Sequence, residues 1–76
     1  MNYGKKVYIE TIEHKGTLVA VGSVHSSLRK AKAFVQRLID EREVDETFQN
    51  EDGSFGVIYH ACGFEIKVTI TEHIIF

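Results

Sequence analysis

His60 and Cys62 stand two residues apart, and with His14, His25, His73, Tyr8 and Tyr59 they make up the reactive inventory of the chain. A thiol beside an imidazole suits two chemistries: metal ligation, or a thiolate nucleophile activated by a neighbouring base. A metal needs three or four convergent ligands, and no second pair at ligand spacing is present. A nucleophile needs the imidazole within hydrogen-bond reach, an orienting group and a pocket. Here Cys62-Gly63 reads as the tip of a hairpin, with His60 facing Glu65 instead. The glycines stand singly (Gly22, Gly53, Gly56, Gly63), so no phosphate-cradling loop is written in the chain. The expectation is a protein that is not an enzyme, with no catalytic residue, no cofactor and no metal. A site shared across a dimer interface stays open.

Charge is the second source of chemistry. From Asp40 to Asp52 seven acids (Asp40, Glu41, Glu43, Asp45, Glu46, Glu51, Asp52) meet one base, Arg42. That segment carries −6 of a net charge of −2, which leaves +4 on the remainder. Arg29, Lys30, Lys32 and Arg37 lie just before it. This basic-to-acidic order opposes the dipole of a helix, which favours acids at its amino end. Arg37 with Glu41, and Arg42 with Glu46, are available as i,i+4 pairs that offset part of the cost. An acidic lobe is either a solvated helix end or a knob that docks on a basic protein surface, where charge raises association rate and selectivity. The four bases could hold phosphates, but exposed aromatics are not interleaved among them and no helix-turn-helix, zinc-finger or RNP-type signature is present.

The elements that position these groups follow from periodicity. Lys5 to Glu13 is rich in Val, Ile, Tyr and Thr and reads as a strand. Lys15-Gly16 supplies a tight hairpin turn, and Thr17 to Val24 returns. Ser26 or Ser27 caps a helix whose apolar face is Leu28, Ala31, Phe34, Val35, Leu38 and Ile39, ending near Glu43. Asp45 to Gly53 reads as a polar loop closed by Asn50-Glu51-Asp52-Gly53. Ser54 to His60 and Phe64 to Ile70 are two further strands. A two-residue Cys62-Gly63 turn pairs Ala61 with Phe64, Tyr59 with Ile66, Val57 with Val68 and Phe55 with Ile70, all on one side. The sum is one α+β domain over residues 1–76: a four-stranded antiparallel sheet in ββαββ order with one helix on one face.

The first hairpin breaks this one-sided scheme. A Lys15-Gly16 turn places Val7, Ile9, Leu18, Ala20 and Val24 on one face and Tyr8, Ile12, Val19 and Val21 on the other. One helix covers one face, so the second patch, Tyr8, Ile12, Val19 and Val21, needs another cover. Phe48 or the tail folding over it is one answer; a subunit or partner protein is the other. The carboxy-terminal His73-Ile74-Ile75-Phe76 presents the same choice between completing the core and docking on a neighbour, since each large apolar side chain gains about 1.5–3 kcal/mol on burial.

The 76 residues amount to one domain, which buries only about 60% of its unfolded surface. With 43% apolar and 26% charged residues, disorder is excluded. One cysteine and no long apolar run exclude a disulfide scaffold and a membrane-spanning helix. The opening Met1-Asn2-Tyr3-Gly4-Lys5-Lys6 is not followed by a signal-peptide core, so a reducing cytoplasm is expected. The opening Lys5-Lys6-Val7-Tyr8-Ile9-Glu10-Thr11 and the helix Ala31-Lys32-Ala33-Phe34-Val35 resemble the small ββαβ accessory proteins of bacteriophages. Many of those act in the host cytoplasm by stoichiometric binding to a host protein, inhibitors of bacterial defence among them. The resemblance implies that class of function and assigns no residue; the long last strand and apolar tail depart from it. The leading expectation is a protein-binding module, with a homodimer using the same patch, or a nucleic-acid module using Arg29, Lys30, Lys32 and Arg37, as alternatives. No membrane partner is expected.

Overall fold

Two tight turns and one serine cap set the path of the chain. A computed structural model describes residues 4–75, with strands β1 (Lys5–His14) and β2 (Thr17–His25), helix α1 (Leu28–Glu41), then β3 (Val44–Gln49), β4 (Phe55–Ala61) and β5 (Phe64–Ile75). Both two-residue hairpins place a non-glycine and then a glycine at positive φ: Lys15 at 52° and Gly16 at 76°, Cys62 at 52° and Gly63 at 81°. That is the conformation whose twist matches the flanking strands. Ser27 caps α1, its side chain accepting from the Lys30 amide at 3.2 Å.

All strand pairs are antiparallel, in the order β2-β1-β5-β4-β3. The fold is therefore α+β with five strands in ββαβββ order, one more than the expected four. The added strand is β3, which begins one residue before the expected polar loop from Asp45 to Gly53 and takes up its first five residues. Its two apolar residues, Val44 and Phe48, do not share a face. Val44 pairs with Tyr59 on the helix side, a bulge intervenes before Glu46, and Phe48 pairs with Gly56 on the other side. The bulge breaks the period of two by which strands are recognised. Asp45 and Glu46, exposed on this edge strand, also discourage edge-to-edge pairing.

The β4–β5 register agrees with the sequence expectation at every pair, from Ala61 opposite Phe64 to Phe55 opposite Ile70. Val57, Val68 and Ile70 are fully buried beneath Ala31 and Val35 of α1, with Phe34, Leu38 and Ile39 packed at the margin. Leu28, expected on the same helix face, is 41% exposed. The last strand runs on to pair Ile75 with Lys5 and Ile74 with Lys6, yet both isoleucines stay exposed, so they extend the sheet without completing the core. Phe76 and the first three residues, including the opening read for a signal segment, lie outside the described residues. No described helix is long and apolar enough to cross a membrane.

Candidate interaction surface

The sheet changes its apolar side part-way across. In β4 and β5 most apolar residues face α1. In β2, Leu18, Val21 and Val24 face away from it, because two bulges, each with its extra residue on β2, reset the register, and β1 divides its own, Tyr8 and Ile12 toward α1 and Val7 and Ile9 away. Ile9 pairs with Val24, Thr11 with Val21 and Glu13 with Leu18, while Tyr8 pairs with His25 and Ile12 with Ala20. Since Tyr8 packs against the helix-side core, the outer face of this hairpin holds Val7, Ile9, Leu18, Val21 and Val24. This corrects the expected division of faces. Tyr8 and Ile12 lie on the helix side, Val21 lies on the other, and Val19 sits at the bulge between the Ala20 and Leu18 pairs. The four residues do not form one patch.

Val21 and Val24 are each 59% exposed and Leu18 56%. Neither expected cover lies over them among the described residues. Phe48 is on the outer face but at the far edge, its ring 3.1 Å from where a Cβ at Gly56 would sit, a place the Val68 carbonyl already blocks at 1.8 Å, with Lys67 Nζ 5.0 Å above the ring. The tail continues β5 beside β1. Above β2 the outer face carries no second layer among the described residues.

The helix side of the same hairpin is polar for a local reason. Glu10 is buried there, at 7% exposure, opposite the bulge at Gly22 and Ser23. Its Oε1 accepts from the Ser23 amide at 2.9 Å and the Ser23 hydroxyl at 3.1 Å. A bulge leaves a backbone N–H without a ladder partner, and the carboxylate supplies one. Ser23 Oγ also lies 2.8 Å from His25 Nε2, and the His25 ring packs on Phe34 of α1 at 4.9 Å. Serine, histidine and carboxylate suggest acyl transfer, but the proton directions oppose it. The hydroxyl proton points to Glu10, so the Nε2–H of His25 donates to Ser23 and offers it no base. The cluster fixes the bulge.

The acidic residues are all exposed, Asp40 and Glu41 at the end of α1, Glu43 after it, Asp45 and Glu46 in β3, Glu51 and Asp52 in the following turn. They gather at the edge opposite β2. Neither expected i,i+4 ion pair forms among the described residues: Arg42 lies over the Tyr59 ring at 5.0 Å, and Asp40 accepts from Gln36 at 3.0 Å. Arg42 and Glu46 cannot pair along a helix because Glu46 belongs to β3. His60, opposite Glu65 in the ladder, bonds through Nδ1 to Asp45 Oδ2. In the turn, the Ser54 hydroxyl and amide donate to Asp52 at 2.7 and 2.9 Å and hold its carboxyl below the ordinary value of 3.8.

Arg29, Lys30, Lys32 and Arg37 are exposed on the side of α1 away from the sheet, and none joins an ion pair among the described residues. Cys62 is exposed at its turn. No three described His, Cys, Asp or Glu side chains are grouped to hold a metal ion. A depression of about 220 Å³ on the outer face is lined by Glu13, Lys15, Gly16, Ile58, Glu65 and Lys67. It is smaller than the ~300 Å³ at which ligand pockets begin, and it has one apolar wall residue.

No family model, curated protein or solved structure matches the chain. The residues that sequence reasoning missed are Leu18 and Val24 as partners of Val21; a lone glycine inside a strand, Gly22, is the signal for the bulge that brings Val24 to the face of Val21, whereas the bulge at Val19 that brings Leu18 there has no such signal.

Proposed function

We propose that the chain is a non-enzymatic protein-binding module that acts by stoichiometric contact through the outer face of its first hairpin. One observation carries this reading: Leu18, Val21 and Val24 share one face of β2, a strand without Asp, Glu, Lys or Arg, each more than half exposed, with no second layer above β2 among the described residues. A sheet needs cover on its apolar side, and on β2 that side is turned away from the helix. The acidic lobe at the opposite edge supports the same reading as a steering element, since such charge speeds encounter with a basic surface. The likeness to small phage accessory proteins supplies the class of action, an inhibitor or modulator of a host protein in the host cytoplasm. The test is capture from a nuclease-treated bacterial lysate by wild type and by Val24→Lys. A stoichiometric protein retained by wild type and lost with the variant is expected; equal capture by both would remove this face from the account.

The exposed bases on α1, none of them in an ion pair among the described residues, favour a second reading, nucleic-acid binding through Arg29, Lys30, Lys32 and Arg37. It requires nuclease-sensitive capture and an affinity that falls steeply with salt, the slope shrinking when Arg29 and Lys32 are reversed to Glu.

A further inference from the structure

We infer that, where no other protein partner is present, the occupant of the outer hairpin face is a second copy of this chain, packed face to face about a two-fold axis with the β1 strands antiparallel. The inference rests on the reading of that face as a protein interface, and it adds the partner and the arrangement.

Surface area gives the first argument. The chain exposes 5591 Å². A compact monomer of 8.6 kDa exposes about 4,700 Å² by the scaling of folded proteins. The excess, roughly 900 Å² over the whole molecule, is enough to supply the ~800 Å² that each partner contributes to a stable interface of standard size. Shape agrees: the radius of gyration is 13.1 Å, against about 11.4 Å for a compact domain of this length. A second copy supplies the missing layer of a two-layer fold and leaves both acidic lobes free at the far edges.

The pattern along β1 gives the second. On the outer face β1 reads Lys5, Val7, Ile9, Thr11, Glu13. Laid antiparallel on itself with Ile9 at the axis, this row places Lys5 over Glu13 of the other copy, with Thr11 over Val7, which is only 7% exposed within its own chain. Both charges thereby meet an opposite one, twice per dimer, and the apolar centre meets itself. Val24 and Val21, beside Ile9 and Thr11, extend that centre over β2. From Thr17 to Ser27 the chain carries no Asp, Glu, Lys or Arg, so no like charges are brought together there. A surface that is complementary to itself under a two-fold operation is what an isologous interface requires.

The experiment is sedimentation equilibrium of the full chain from micromolar to millimolar concentration. Wild type is expected to reach twice its 8.6 kDa mass. Val24→Lys, at an exposed position where folding is unaffected, is expected to weaken association at least tenfold, on the order of a central interface residue. Lys5→Glu and Glu13→Lys are each expected to weaken it several-fold, and the double variant Lys5→Glu/Glu13→Lys to restore it. A wild type of single mass throughout overturns the second copy. If Val24→Lys then still abolishes lysate capture, the protein-binding reading stands without it; if it does not, both fall. A dimer that Val24→Lys leaves intact, or whose charge swap fails to restore it, overturns the proposed packing.

Discussion

Gly22→Ala tests the link between the β2 bulge and the buried carboxylate. An ideal Cβ at Gly22 falls 1.9 Å from Glu10 Oε1 and 2.6 Å from its Cδ. The Glu10 side chain gives way before the backbone does, and in swinging aside it releases the Ser23 amide and hydroxyl. Hydrogen bonds to a charged group contribute about 1.5–3 kcal/mol each, and water at the exposed Gly22 side replaces part of what is lost. A net cost of about 2–3 kcal/mol follows, or roughly 10–20 °C in Tm for a domain of this size. Glu10→Ala alone leaves the bulge amide unpaired and costs about 1–3 kcal/mol. With the carboxylate gone, Gly22→Ala meets no obstacle and becomes neutral or stabilising by a few tenths of a kcal/mol. Urea denaturation of the four proteins at one fixed concentration gives the cycle, with an expected coupling of about 2 kcal/mol. A Gly22→Ala cost that is negligible in wild type, or equal in both backgrounds, refutes the reasoning.

The remaining predictions probe the core, the turns and pH. Ile70→Ala, at a fully buried position, is expected to cost about 2–5 kcal/mol, and Leu38→Ala, at the margin, less; the reverse order in thermal denaturation would place the core elsewhere. Cys62→Asn is expected to stabilise by up to about 1 kcal/mol because asparagine tolerates the φ of 52° better, whereas Cys62→Ser should be nearly silent in the same assay. Asp52 titrates below 3.8 when folded, so its contribution is full above 3.8 and is lost as pH falls through the lower folded value. An NMR titration should show its carboxyl midpoint below 3.8 together with a shift of the Ser54 amide, and Asp52→Asn should flatten the acid limb of the stability curve.

The helix face and the β4–β5 hairpin were legible because each obeys one rule throughout: spacing of three and four for Ala31, Val35 and Leu38, strict alternation about a two-residue turn for Phe55 to Ile70. The first hairpin was not, since two bulges reverse parity and a reader who counts by twos from Lys15-Gly16 assigns Val21 and Val24 to opposite faces when they share one. The same failure hid β3, where a bulge after Val44 sets its only two apolar residues on different sides. The buried Glu10 carries the explanation in its neighbours: a charged residue in a strand, opposite a lone glycine and a serine, marks a place where the ladder opens and a side chain fills in for it. That an apolar surface existed on this hairpin was readable; which residues compose it was decided by backbone irregularities that composition does not encode.

The central claim is that the outer face of the first hairpin is covered by protein in solution. Solvent paramagnetic relaxation of the valine and leucine methyls, recorded on the full chain at millimolar concentration, tests it directly. The account predicts that Val21 and Val24 are shielded to the level of the buried Val57, while Leu28 on α1 relaxes as an exposed residue. Val21 and Val24 relaxing as strongly as Leu28 would contradict it.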